Sequence, residues 1–147
     1  MAQRYFQQFE KFLMKGLCTV YGNVSIGASG APTLNNSSSP SVSNKSLGIA
    51  SVVRNSTGNY TFSFGDPNNT SVLDNYQYLV DFDFTLIQSS VTAGVYNIQV
   101  WQDNASSGTV VIQVYGPTSS GNTTPAVQDI DNGAVLLVKF VLKQGIL

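Results

Sequence analysis

Hydrophobic and polar positions alternate along most of this chain, most sharply near its C-terminal end. In residues 133–147, GAVLLVKFVLKQGIL, the side chains Leu136, Val138, Phe140 and Leu142 form one apolar row at strand spacing. Val135, Leu137 and Val141 make the opposite row nearly as apolar, broken only by Lys139. A strand that is apolar on both faces needs cover on both. The pattern predicts a second sheet on one side of this strand and another subunit on the other.

The same period of two recurs upstream. Residues 18–26, 47–54, 60–64, 78–87, 95–102 and 109–115 each read as strands. Tyr60, Phe62 and Phe64 share one face. In residues 78–87 the alternation predicts Val80, Phe82, Phe84 and Leu86 inward, with Asp81, Asp83 and Thr85 outward. Ser56-Thr57-Gly58 is a hairpin connection, residues 66–69 (DPNN) a strong turn, and residues 103–108 the turn of a second hairpin. Residues 116–132 form a polar loop before the last strand. The expected fold is all-β: a single β-sandwich or jelly-roll-like domain of about seven antiparallel strands.

The period changes in the N-terminal region. Phe6, Phe9 and Leu13, with Tyr5 and Phe12 beside them, make a stripe at helical spacing that Gly16 would end. Residues 27–46, GASGAPTLNNSSSPSVSNKS, are too polar to pack and read as a linker. These features divide the chain into an N-terminal arm over residues 1–46 (a short helix, one strand and the linker) and a β-sandwich body over residues 47–147. The helix could pack on its own β core, dock on a partner, or lie on a membrane surface. The last is the weakest, because three basic residues supply little attraction.

Composition narrows the functional classes. Seven Lys plus Arg against eight Asp plus Glu leave a net charge of −1, and only 10% of the residues are charged. There is no basic field to attract nucleic acid. No run approaches the roughly 20 apolar residues of a membrane span. Residues 1–17 are too interrupted by Gln, Glu and Lys to read as a secretory leader. The chain has no histidine, so the commonest general base and metal ligand is missing. The single cysteine, Cys18, lies in an apolar alternating run and reads as a buried, inert thiol. The ten Asn-X-Ser/Thr triplets follow from an Asn- and Ser/Thr-rich composition rather than from secretion.

Candidate chemistry is sparse. No nucleophile elbow, P-loop or dinucleotide fingerprint occurs. Asp81 and Asp83 share a strand face and could pair as acids, but read more simply as a solvated row. Asp129 and Asp131, in DIDNG, look like part of a calcium loop without its closing Glu, or a turn into the last strand. Trp101 falls on a mixed polar-aromatic face with Val95, Asn97 and Gln99, suited to a subunit interface or a glycan contact. No catalytic, cofactor or metal residue is expected. The expected interface residues are Phe6, Phe9, Leu13, Trp101, Leu136, Val138, Phe140 and Leu142.

Three segments in order, VSIGASGAPTL (24–34), GIASVVRNSTGNYTFSF (48–64) and GAVLLVKFVLKQ (133–144), resemble a recurrent class of small tailed-phage virion proteins. The resemblance implies a non-enzymatic structural protein of the capsid-decoration or head-fibre type, oligomerising, often as a trimer, on a major capsid protein or other virion proteins. It assigns no role to individual residues, and it covers neither the N-terminal helix nor the Ser/Asn-rich linker. The alternative is a fibre-tip or receptor-binding module that contacts glycans through Trp101 and the tyrosines.

Overall fold

A computed structural model describes residues 16–35, 46–65, 76–89, 95–117 and 125–144. Within them the chain is all-β. Nine strands run β1 Leu17–Ile26, β2 Pro32–Leu34, β3 Ile49–Ser56, β4 Asn59–Phe64, β5 Tyr76–Ile87, β6 Asn97–Asn104, β7 Thr109–Pro117, β8 Pro125–Val127 and β9 Val135–Gln144. The expected helix over residues 1–15, and with it Phe6, Phe9 and Leu13, lies outside the described residues.

The strands form two antiparallel sheets. Sheet A has the order β2-β1-β9-β5, and sheet B the order β3-β4-β7-β6, with β8 pairing β7. One apolar core lies between them. Leu136, Val138, Phe140 and Leu142 face it from β9, Val20 and Val24 from β1, Tyr60, Phe62 and Phe64 from β4, and Val110, Ile112 and Val114 from β7. The Phe140 ring is its hub. It meets Phe62 at 5.6 Å, Phe64 at 5.5 Å and Phe84 at 5.8 Å between ring centroids, each edge to face, the arrangement that the ring quadrupole favours.

Two turn residues explain local geometry. The β3–β4 hairpin closes through Thr57-Gly58, where Gly58 takes φ 63°, the left-handed region that such turns require. Gly22 on β1 has no side chain because there is no room for one. A Cβ there would lie 2.6 Å from Val138 Cγ2 and 2.8 Å from Ile49 Cδ1, so the glycine lets β3 close over sheet A.

Four expectations change. First, β1 is not part of a separate arm: it pairs with β9 from Leu17↔Lys143 to Ser25↔Val135. The arm of residues 1–46 therefore loses Leu17–Leu34 to the body. Second, residues 27–46 do not act as a spacer between two units. β2 pairs β1, Asn35 and Ser46 are joined by a backbone hydrogen bond of 3.0 Å, and Ser46 Oγ accepts from Asn23 N at 3.0 Å. Both ends of the segment are thus pinned to one strand. Third, Val80 does not point inward. A register shift between Leu79 and Asp81 turns it out, and Leu79 takes its place facing Leu142. Fourth, the strand count exceeds seven because β2 and β8 are three-residue strands, too short to show a period.

Candidate interaction surface

Among the described residues, several titratable side chains are held in structural contacts. Asp129 precedes the turn into β9, where it meets the β3–β4 hairpin. Its carboxylate accepts from Arg54 Nε at 2.9 Å, Arg54 Nη2 at 2.6 Å and Gly58 N at 2.8 Å. Tyr60 Oη lies 3.4 Å away. The Arg54 guanidinium, more than the Gly58 amide, holds this carboxyl below the ordinary carboxylate range. Asp131 hydrogen-bonds Tyr96, whose phenol is pushed up to about 12, chiefly by burial. Burial beside Asp129 likewise raises Tyr60 to about 12. The two aspartates read as a calcium-loop fragment are therefore committed to different partners. Among the described residues no group of three or more acidic, histidine or cysteine side chains could hold a metal.

Asp81 and Asp83 lie on the outward face of β5, as their spacing predicts. Asp83 is opposite Lys139 across the ladder, and Lys139 Nζ reaches Asp81 at 3.6 Å. This is an exposed charge row, worth little to stability. Burial raises the Cys18 thiol above its ordinary value, which disfavours the reactive thiolate.

What remains is surface. Because β9 alternates strictly, its second row, Val135, Leu137, Lys139 and Val141, faces away from the core and is only half-buried. Register extends that row across sheet A: Ser25, Val135 and Ile87 lie side by side, then Asn23, Leu137 and Thr85, then Tyr21, Lys139 and Asp83, then Thr19, Val141 and Asp81. Tyr21 and Ile87 are about half exposed. The outer face of sheet A is thus an apolar stripe along its central strand, bordered by polar and charged residues. Asn23 anchors one border: its carbonyl accepts from Asn35 N at 2.8 Å, and its side-chain oxygen from Asn35 Nδ2 at 2.7 Å.

A second open region lies along one side of the body, where β5 is the edge of sheet A and β6 the edge of sheet B. A cleft of about 330 Å³ opens there, lined by Phe82, Asp83, Phe84, Leu86, Tyr96 and Ile98. Trp101 is on β6 at a bulge: Val100 pairs Ile112, Gln102 pairs Val111, and Trp101 is the extra residue between them. It is 56% exposed.

The sequence-derived interface residues separate accordingly. Leu136, Val138, Phe140 and Leu142 are at most 3% exposed and face sheet B of the same chain, so they present nothing to another subunit. Trp101 is accessible. The opposite row of β9 supplies the free apolar surface. Sequence reasoning missed the Arg54–Asp129 clamp, whose partners are 75 residues apart, and the edge cleft, because periodicity does not tell an edge strand from a central one.

No helix among the described residues is long and apolar enough to cross a membrane. Comparison of the chain with protein-family models, with curated proteins and with solved structures yields no match.

Proposed function

We propose that this protein is a non-enzymatic structural subunit that works by association, a virion protein of the capsid-decoration or head-fibre type. The observation that carries the reading is the outer face of sheet A, where Val135, Leu137, Val141 and Ile87 form an apolar stripe that the described chain leaves half covered. Stable soluble domains seldom leave such a stripe without a use. The resemblance of residues 24–34, 48–64 and 133–144 to small tailed-phage virion proteins supports the viral context. It also supports a β-sandwich body that oligomerises. In this reading three copies join through the outer faces of sheet A, and the assembly sits on a major capsid protein or another virion protein. Each contact would bury on the order of 1,600 Å² in total.

The test is light scattering over a concentration series. The wild-type chain is expected to run as a trimer. Leu137→Glu places a charge at the centre of the stripe and is expected to give a monomer with unchanged far-ultraviolet circular dichroism. A wild-type chain that stays monomeric at every concentration overturns self-association.

The exposed Trp101 favours a second reading, a glycan-contacting module of a fibre tip. A bulge on an edge strand aims an aromatic ring out of the sheet, among the exposed polar side chains of Gln99 and Gln102. Glycan-array binding that is lost in Trp101→Ala, with folding intact, would support it. Absence of binding by the wild type would remove it.

A further inference from the structure

We propose that the outer face of sheet B binds an uncharged glycan, with Trp101 as its stacking platform and the side-chain amides of Gln99 and Gln113 as its polar contacts. The inference rests on the second reading above, a glycan contact at Trp101, and adds the class of sugar and the residues beside the ring. It begins with the placement of charge. The outer face of sheet A carries Asp81, Asp83, Lys139 and Lys143. The outward rows of sheet B carry no charged side chain among the described residues. Register sets Thr61, Val111 and Gln102 side by side in one row, and Asn59, Gln113 and Gln99 in the next. The two nearest charges belong to the inward rows. Arg54 pairs with buried Tyr60 and is held by Asp129. Asp103 pairs with buried Val110, and its Oδ1 accepts from Ala105 N at 3.0 Å.

Charge complementarity decides the class of ligand. An anionic glycan or a nucleic acid would find no lysine or arginine along these rows, and a basic ligand no carboxylate. A dry protein interface would leave the amides and hydroxyls buried without partners, which is costly. An uncharged sugar fits, because each side-chain amide offers both donors and an acceptor, as each sugar hydroxyl does.

The polar groups near the tryptophan are already ordered. Tyr115 Oη donates to Gln113 Oε1 at 2.6 Å, which sets the amide plane and leaves its Nε2 as a donor. Gln99 stands opposite Gln113 across the β6–β7 ladder. Trp101, 56% exposed at the β6 bulge, lies two residues from Gln99, roughly 7 Å along the strand. One hexose ring bridges that separation, with its C–H face on the indole and its hydroxyls on the amides. The order continues on the far side of β7, where Asn55 Nδ2 donates to Asn59 Oδ1 at 2.9 Å and to Thr61 Oγ1 at 2.6 Å. From Gln99 to Asn59 is two strand spacings, about 10 Å, a span for a glycan of more than one sugar. Sheet B's outer face is on the opposite side of the sandwich from sheet A's, so association through sheet A leaves it open.

The test is a glycan array carrying uncharged oligosaccharides beside uronate- and sulfate-bearing ones, probed with the full-length chain. The best-bound member is then titrated by calorimetry. The wild type is expected to prefer uncharged members, with an affinity that holds from about 0.05 to 0.5 M salt, where a charged contact would be screened. Trp101→Ala is expected to abolish binding. Gln99→Ala and Gln113→Ala are each expected to weaken it about fivefold or more, with thermal unfolding unchanged. Gln99 is exposed on an edge strand, so its variant reports on binding rather than on folding. Preference for acidic glycans, or binding that is lost in Trp101→Ala yet unchanged in Gln99→Ala, overturns the proposal and leaves the Trp101 reading standing. Binding to no glycan, or binding that Trp101→Ala leaves intact, overturns both.

Discussion

Asp129 shows how much of this fold can rest on one side chain. Its carboxylate ties the loop before β9 to Arg54 of β3 and to the turn amide of Gly58. The amide alone is a hydrogen bond to a charged acceptor, a class worth about 1.5–3 kcal/mol. Asp129→Asn is expected to lower stability by that order at neutral pH, measured by urea denaturation. The folded carboxyl titrates below its unfolded value, so its contribution is complete above about pH 4 and is lost as pH falls through the lower folded value. The wild type should therefore lose stability more steeply than Asp129→Asn on acidification below about pH 4. Nothing in DIDNG announces this clamp. A pattern of acids shows that oxygen donors are present, whereas only the folded register shows that a guanidinium 75 residues away occupies them.

At the scale of the element, the alternation of side chains carried most of the information. The strands near residues 18–26, 60–64, 109–115 and 135–144 and the Thr57-Gly58 turn were all legible, because each buries one face and period two records it. The β5 row was legible except at Val80, where a bulge adds a residue and reverses the parity. Strand order was not legible. The β9 inner row looked like an interface because it is apolar, yet the partner it requires is sheet B of the same chain. Gly22 marks the point where that partnership is tightest. Gly22→Ala is expected to cost about 1–3 kcal/mol, since the added methyl meets Val138 and Ile49 at under 3 Å. The loss would be read as a lower midpoint of thermal unfolding, with the oligomeric state unchanged.

At the scale of the whole molecule the two sheets share one core, and Phe140 is where they meet. Removing its ring in Phe140→Ala is expected to cost about 3–5 kcal/mol, a large share of the 5–15 kcal/mol that typically holds a domain together. Both sheets should lose structure in the same transition, checked by exchange of β1 and β4 amides along a urea series. Separate transitions would mean that the sheets are independent units. The pairing of β9 with β1 on one side and β5 on the other also sets an order of events at the ribosome. β1 emerges early, yet the strand that completes its hydrogen bonding is the last of the described strands to be synthesised. Until then sheet A lacks its middle, and β5 and most of β1 have no strand partner in it. Folding is thus held back until β9 is free of the exit tunnel and can insert between them. The step closes contacts of very large sequence separation, and so is expected to be slow and dependent on chaperones that shield unpaired strands.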